Sequence, residues 1–183
     1  MRRLGIAAVV TALLLATPAA AQAQIEDYAS YDPSSTCHEE PKAGTAYLAR
    51  WVVKRYGGSL VSMSRDCHRR ATSEHQNGRA FDWALDAHSR ADRQRARAFL
   101  GRIFATDKRG HSDAWARRMG VMYVIWNDRM YPAWTGFEPE PYLSSSCRTR
   151  KKCSPTLRHR DHVHVSLSRQ GSRGVTSWYD DRT

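Results

Sequence analysis

After its first two dozen residues, the sequence has no apolar run long enough to cross a membrane as a helix. It also has no internal repeat and no stretch with the composition of a linker between domains. These absences exclude a membrane protein with several spans and a repeat protein. The remaining length of about 160 residues suits one compact domain with its own hydrophobic core.

The chain is short of acidic residues, with 18 aspartates and glutamates against 29 lysines and arginines. Without Arg2 and Arg3, which belong to the N-terminal segment described next, the formal net charge falls only from +11 to +9. A protein with this charge is attracted to polyanions, which include anionic cell-wall polymers, nucleic acid and lipid head groups. Charge alone does not choose among them.

The first 23 residues have the order of a secretory signal peptide. Arginines precede an apolar run at 4–16 that is too short to span a bilayer, and small residues follow with cleavage expected after Ala21 or Ala23. A membrane anchor is the alternative. Lipid attachment is not expected, because no cysteine lies near the cleavage point. We therefore expect a signal peptide at 1–23 and an exported domain at 24–183 with its core at about 37–178. The expected location is extracellular or at the cell wall.

The chain has four cysteines, which are Cys37, Cys67, Cys147 and Cys153. An even number in an exported chain indicates two disulfides rather than a thiolate metal site. Three pairings are possible. We favour Cys37–Cys67 with Cys147–Cys153, because each bond then ties down one irregular segment.

The spacing of apolar residues predicts a mixture of helices and strands. Helices are expected at 42–56 and 112–119, and a further helix is expected to begin after Ser89, its N-cap. Strands are expected at 59–64, 79–85, 121–126 and 162–168. A turn at Asn127-Asp128 returns the third strand, and 132–157 is expected to be a loop. The pattern predicts an α+β fold, a single domain with a small, mostly antiparallel sheet and flanking helices.

The last predicted strand, "HVHVSLS", alternates strictly. Alternation places His162, His164 and the serines on one face, and Val163, Val165 and the leucine on the other. A solvated face, a hydrogen-bonded histidine pair and a metal site all explain this strand equally well.

A second stretch, "SEHQNGRAFD", favours the metal site. Gly78 allows a tight reversal after His75, and Asp82 lies on the face of its strand opposite Phe81 and Trp83. A carboxylate among large apolar groups is unfavourable to bury without a partner, and a cation beside it removes that penalty. Two imidazoles, one carboxylate and an open fourth position form a catalytic zinc site.

The stretch fits the motif S-x-H-x-x-G-x-A-x-D of the zinc D-alanyl-D-alanine metallopeptidases. Together with "SRDC", "YVIWN" and "HRDHVH", it resembles the LAS-type peptidoglycan peptidases, and in particular their small secreted actinobacterial members. The resemblance extends from about Cys37 to Trp178 and implies the Hedgehog/DD-peptidase fold. It also implies that zinc is held by His75, Asp82 and His164, with Ser73 bracing the site beside the substrate.

The resemblance leaves the general base open. Carboxypeptidase-type members have a glutamate where this chain has Asp161, and endopeptidase-type members use a histidine at the position of His162. His159 fits their further histidine. We expect His162 to be the main polar partner of substrate or water, followed by Asp161 and then His159. Arg65 is a candidate for binding a substrate carboxylate or a developing oxyanion, with a surface ion pair as the alternative.

Three hypotheses for the function follow. The first is a secreted zinc peptidase that hydrolyses peptidoglycan stem or cross-bridge peptides, as a D,D- or L,D-endopeptidase or a carboxypeptidase. The second is a non-catalytic, basic module that binds the cell wall, which Asp161 in place of glutamate keeps open. The third, a metal-dependent nuclease, leaves the first motif unexplained. We expect peptidoglycan peptides and anionic wall polymers as partners, no nucleic acid, no membrane after signal removal, and a monomer.

Overall fold

The computed structural model describes residues 25–67, 73–180 and 182, so the predicted signal peptide lies outside the described residues. The helices are α1 (Ala43–Tyr56), α2 (Arg90–Ile103), α3 (Ala114–Met119) and α4 (Arg169–Arg173). The strands are β1 (Ser59–Ser62), β2 (Ala80–Ala84), β3 (Val121–Trp126), β4 (Arg129–Pro132), β5 (Glu140–Pro141) and β6 (His162–Leu167). Short 3-10 turns lie at Glu74–Asn77, Ala133–Thr135, Arg150–Lys152 and Thr156–Arg158. Within these ranges, no helix is long and apolar enough to cross a membrane.

The six strands form one sheet in the order β1-β2-β6-β3-β4-β5. Every neighbouring pair is antiparallel. A single domain with an antiparallel sheet and flanking helices is the α+β class that the sequence predicts. β6 lies between β2 and β3, so the two stretches with candidate metal ligands are hydrogen-bonded neighbours.

The hydrophobic core lies on one face of this sheet. Alternation directs Phe81 and Trp83 of β2 and Val163 and Val165 of β6 to that face, where all four are fully buried. The apolar sides of α1 and α2 cover them, with contributions from Leu48, Val52, Phe99 and Ile103. The opposite face of β2 and β6 is therefore left to carry the polar residues of the site.

The end of β6 differs from the prediction. Ser168 was expected on the polar face of the strand, but the strand ends at Leu167. Ser168 is instead the N-cap of α4, where its hydroxyl accepts a hydrogen bond from the Gly171 amide. A Cβ at Gly171 would lie only 2.8 Å from Gly120 Cα, so α4 depends on close backbone packing that apolar periodicity does not reveal.

The disulfide pairing that the sequence favours is present. Cys37 bonds to Cys67 and Cys147 bonds to Cys153, with Cα–Cα distances of 5.8 and 5.5 Å. The first bond ties the segment before α1 to the chain that follows β1, and the second closes a short loop before β6.

We expect the two disulfides to stabilise the domain unequally. Closing a longer loop removes more entropy from the unfolded chain, and the pairs are 30 and 6 residues apart. Serine replacement of both cysteines should lower the free energy of unfolding by up to about 3.7 kcal/mol for Cys37–Cys67, and by up to about 2.4 kcal/mol for Cys147–Cys153. Urea unfolding of the two double variants measures the difference, and a larger loss from the short loop would contradict it.

Candidate metal centre

A 3-10 turn between Ser73 and Gly78 places His75. Ser73 caps the turn, its hydroxyl accepting a long hydrogen bond of 3.4 Å from the His75 amide. Gly78 ends it with φ +64°, and its carbonyl accepts from the Thr45 hydroxyl of α1 at 2.8 Å. A Cβ at Gly78 would collide with the Glu40 carbonyl oxygen. The glycine is therefore required both by its backbone conformation and by the close passage of another segment.

We predict that Gly78→Ala destabilises the domain more than Gly110→Ala. Both glycines have positive φ, but a Cβ at Gly110 meets nothing within 4 Å. The control should therefore lose only the conformational term, about 1 kcal/mol, whereas Gly78→Ala should lose about 2–4 kcal/mol because the backbone must also shift. Denaturant unfolding compares the two, and equal losses would contradict the proposed clash.

The register of β2 against β6 brings two candidate ligands together. Asp82 is paired directly with His164, and both side chains point away from the hydrophobic core. Directly paired residues on one face of an antiparallel sheet have adjacent side chains. The 3-10 turn precedes β2 and delivers His75 to the same place.

Three side-chain atoms converge there and could hold a metal ion. His75 Nε2 lies 3.1 Å from Asp82 Oδ1 and 3.1 Å from His164 Nδ1, and the third side of this triangle is 3.0 Å. An imidazole nitrogen has one in-plane lone pair or one N–H, so it cannot make straight hydrogen bonds along two sides of a triangle. One cation bound by all three atoms would satisfy them together.

The dimensions of the triangle fit a small divalent cation. Tetrahedral zinc with bonds of about 2.1 Å has ligand atoms about 3.4 Å apart, a few tenths of an ångström more than the distances seen here. Two imidazoles and one carboxylate suit zinc, and they also suit Fe(II). The donor set therefore supports a metal site without identifying the metal.

The protonation states also suit metal binding. Burial by itself raises the pKa of Asp82, but the hydrogen bonds with His164 and His75 outweigh it and hold that pKa far below its ordinary value. Burial is the main cause that lowers the pKa of His75, with Asp82 opposing it and His164 adding to it. Near neutral pH the aspartate is ionised and His75 is neutral, which are the states that bind a cation.

A buried polar network supports His164. Its Nε2 lies 2.8 Å from the Ser166 hydroxyl, which can accept the Nε2 proton and leave Nδ1 free for a metal. The Tyr123 ring is stacked on the imidazole at 5.5 Å, and the Tyr123 hydroxyl donates to Glu74 Oε2 at 2.7 Å. Burial, with Glu74 nearby, raises the pKa of Tyr123 well above its ordinary value, so the phenol stays a donor.

His162 and Asp161 act as one pair. His162 Nδ1 donates to Asp161 Oδ1 at 2.7 Å, and its Nε2 lies 3.6 Å from Asp82 Oδ1 at the edge of the ligand triangle. Alternation within a strand would turn Asp161 away from the site, but β6 starts only at His162. Burial raises the pKa of Asp161, whereas hydrogen bonds from Thr156 and His162 outweigh it, so the carboxylate is ionised near neutral pH.

His159 lies at the same site in a different state. Its ring is 4.7 Å from that of His162 and 5.0 Å from that of Tyr142. Burial, followed by the charges of His164 and His162, lowers the pKa of His159 to about 2. A group with such a low pKa is a weak proton acceptor, so His159 is the least suited of the three candidates to act as a base.

These residues line an open cleft of about 690 Å³. All eight candidate site residues line it: Arg65, Ser73, His75, Asp82, His159, Asp161, His162 and His164. Arg65 is exposed, and its charge is near enough to lower the pKa of His75.

Sequence reasoning missed Glu74 and Tyr123. Both line the cleft, and Glu74 is buried beside the ligands although it is charged. Glu74 lies inside the first motif but at one of its variable positions, and Tyr123 lies in a strand that reads as hydrophobic core. Their contact joins residues 49 positions apart, so no local pattern contains it.

Comparison of the chain with curated proteins gives no match, and comparison with solved structures gives none either. A family model described as VldE, C-terminal domain, matches residues 37–149. The matched segment contains His75 and Asp82 and ends before β6, which carries His164. Because it covers more than half of the 183 residues, the chain belongs to the family of the VldE C-terminal domain.

Proposed function

We propose that this protein is a secreted, zinc-dependent hydrolase of peptide bonds in peptidoglycan. The observation that carries the proposal is the triangle of His75, Asp82 and His164 on the wall of a solvent-open cleft, with the pair of His162 and Asp161 at its edge. Zinc bound there would polarise a carbonyl group and lower the pKa of a bound water to about 7.

The residues of the chain have separate tasks in this proposal. His162 accepts a proton at Nε2 from the attacking water and later passes it to the leaving amine. Asp161 holds the Nδ1 proton of His162, which fixes the tautomer with a free Nε2 and stabilises the imidazolium that forms. Arg65 lines the cleft, and its guanidinium would bind a carboxylate of the substrate.

Two properties of the chain support the cell wall as the place of action. Two disulfides are typical of proteins that fold in oxidising compartments outside the cytosol. The net charge, which is +11 for the full chain and +9 without Arg2 and Arg3, favours the polyanionic environment of a cell wall. The resemblance of "SEHQNGRAFD" and "HVH" to peptidoglycan peptidases selects the substrate class.

Mass analysis of muropeptides tests the proposal. Zinc-loaded wild-type protein is expected to release new amines from peptidoglycan, and the fragment masses identify the bond that is cut. His75→Ala should abolish the release, and a chelator should do the same to the wild type. His88→Ala is the matched control, because His88 is exposed and lies outside the cleft.

Unchanged muropeptide profiles with zinc-loaded protein would refute hydrolysis. If that protein sediments with wall fragments and a chelator does not release it, the chain is a binding module instead. Nicking of plasmid DNA that depends on His75 would favour the nuclease hypothesis.

A further inference from the structure

A second concave site lies on the helical side of the sheet, and we name it the α2 groove. Its volume is about 500 Å³, and its lining includes Arg93, Arg97, Arg129, Phe104, Trp126 and Tyr131. No aspartate or glutamate of the described residues lines it. The site thus combines three guanidinium groups with three aromatic rings and has no neutralising carboxylate.

The α2 groove is separate from the metal centre. Trp126 packs in the core cluster that also contains Phe99 and Ile103 of α2. Its neighbour Ile125 lies on the other face of β3 and lines the cleft of the metal centre. A ligand in the groove therefore touches none of the proposed metal ligands.

Among the ion pairs of the described residues, none involves an arginine of the groove. The guanidinium of Arg93 donates to the carbonyls of Ala87 and His88, at 2.9 and 2.7 Å, which are uncharged acceptors. The nearest acids in the sequence are engaged elsewhere, since Asp92 pairs with Arg95 and Asp128 accepts two hydrogen bonds from Arg158. Arg97 and Arg129 are both exposed. Exposed guanidinium groups bind phosphate and carboxylate in a forked geometry.

A glycine inside α2 keeps the groove open. Gly101 lies within the helix, where glycine is less favourable than alanine. Packing does not require it, because an added Cβ would meet nothing within 4 Å. A larger side chain at this position would project into the space that the groove occupies, since Gly101 is part of its lining.

We propose that the α2 groove binds an anionic saccharide, a sugar that carries a phosphate or carboxylate group. The guanidinium groups of Arg97 and Arg129 pair with the anion, and the half-buried Tyr131 ring, with the small exposed part of Trp126, offers apolar surface to the sugar. The volume is in the range of sites that hold one small ligand. A single nucleic-acid strand would need a longer basic path along several phosphates.

Binding can be measured by calorimetry at low salt with defined probes. N-acetylglucosamine 1-phosphate and glucuronate represent the two anionic sugars, and N-acetylglucosamine, inorganic phosphate and an oligothymidylate are the comparison ligands. We expect at least one anionic sugar to bind more tightly than all three comparison ligands. Arg97→Ala and Arg129→Ala should each weaken it about tenfold or more, because a charge-assisted hydrogen bond is lost. Arg50→Ala, an exposed arginine on α1 outside the groove, is the control with the same change of net charge.

Gly101→Gln tests the shape of the groove. Glutamine favours a helix more than glycine does, so the variant should fold at least as well as the wild type while losing about tenfold or more in affinity. The proposal is overturned if neither anionic sugar binds, if inorganic phosphate or the oligothymidylate binds as tightly, or if Arg50→Ala and Gly101→Gln behave alike. Binding should persist with a chelator present, so failure of the metal-dependent function leaves this result intact.

Discussion

Asp82→Asn protein is expected to lose stoichiometric metal while it keeps its fold. Asparagine has the shape of aspartate, but it removes the one negative charge of the ligand triangle. Apparent zinc-binding free energies of about 10–16 kcal/mol are shared among the ligands of a site, so losing one ligand should remove at least about 3 kcal/mol. This corresponds to more than about a hundredfold in affinity. Competition with a chromogenic chelator measures it, and emission spectrometry counts zinc and iron per chain.

The matched control for this variant is Asp86→Asn, because Asp86 is exposed and lies outside the cleft. Zinc should raise the free energy of unfolding of the wild type and of the control by about 4 kcal/mol at a thousand times the dissociation constant, because it binds only the folded state. The Asp82→Asn protein should gain at most about 1.4 kcal/mol at the same concentration, because a site weakened at least a hundredfold is then at no more than about ten times its own dissociation constant. Equal zinc affinity in the two variants would remove the basis for a metal centre at this triangle.

The fold was predictable where its signals are local. Ser89 caps α2, and its hydroxyl accepts from the Asp92 amide as the capping pattern predicts. β3 has the predicted bounds because a run of β-forming residues between two glycine- or asparagine-containing turns leaves little freedom. The alternation in β6 gave the correct two faces.

Contacts that join distant segments were not predictable. The side chain of Arg79 is fully buried, where it donates to the Asp32 backbone carbonyl at 2.7 Å and to the Leu167 carbonyl at 3.3 Å. Asp32 belongs to an irregular segment with no periodicity, so the sequence gives no sign of this pairing. The polar face of β6 is buried for the same reason, because distant segments such as the Ser73–Gly78 turn pack over it.

The candidate site, like the fold, has a part that local sequence predicts and a part that depends on contacts between distant segments. The candidate ligands His75 and Asp82 could be proposed from residue types at short spacing, since they are seven positions apart and belong to one motif. The choice of general base depended on where β6 begins, which is a matter of one residue. Because β6 starts at His162, the Asp161 carboxylate lies beside the His162 imidazole. The two residues considered as alternative bases therefore form one hydrogen-bonded pair. The network of Glu74, Tyr123 and Ser166 behind His164 depends on the pairing of β3 with β6.

Removal of the His162 imidazole is expected to separate catalysis from metal binding. If His162 moves the proton of the attacking water, His162→Ala should lower kcat by about 10²–10⁴-fold on a muropeptide substrate. The zinc content should stay at one ion per chain, because the three ligand atoms are untouched. Asp161→Asn should cost less, about 10–100-fold, since Asp161 acts through the imidazole, whose tautomer it fixes and whose protonated form it stabilises in the proposed mechanism.

His159→Ala completes the series, because His159 touches the same ring but has a pKa of about 2 and is a poor base near neutral pH. Its loss should lower kcat less than tenfold, since the proposal assigns the proton transfer to His162 with the support of Asp161. The expected order of loss is therefore His162, then Asp161, then His159, at constant zinc content. A His159→Ala protein that is as inactive as His162→Ala would transfer the role of base to His159. Loss of zinc from His162→Ala would instead make His162 a ligand, because its Nε2 is already 3.6 Å from the Asp82 carboxylate.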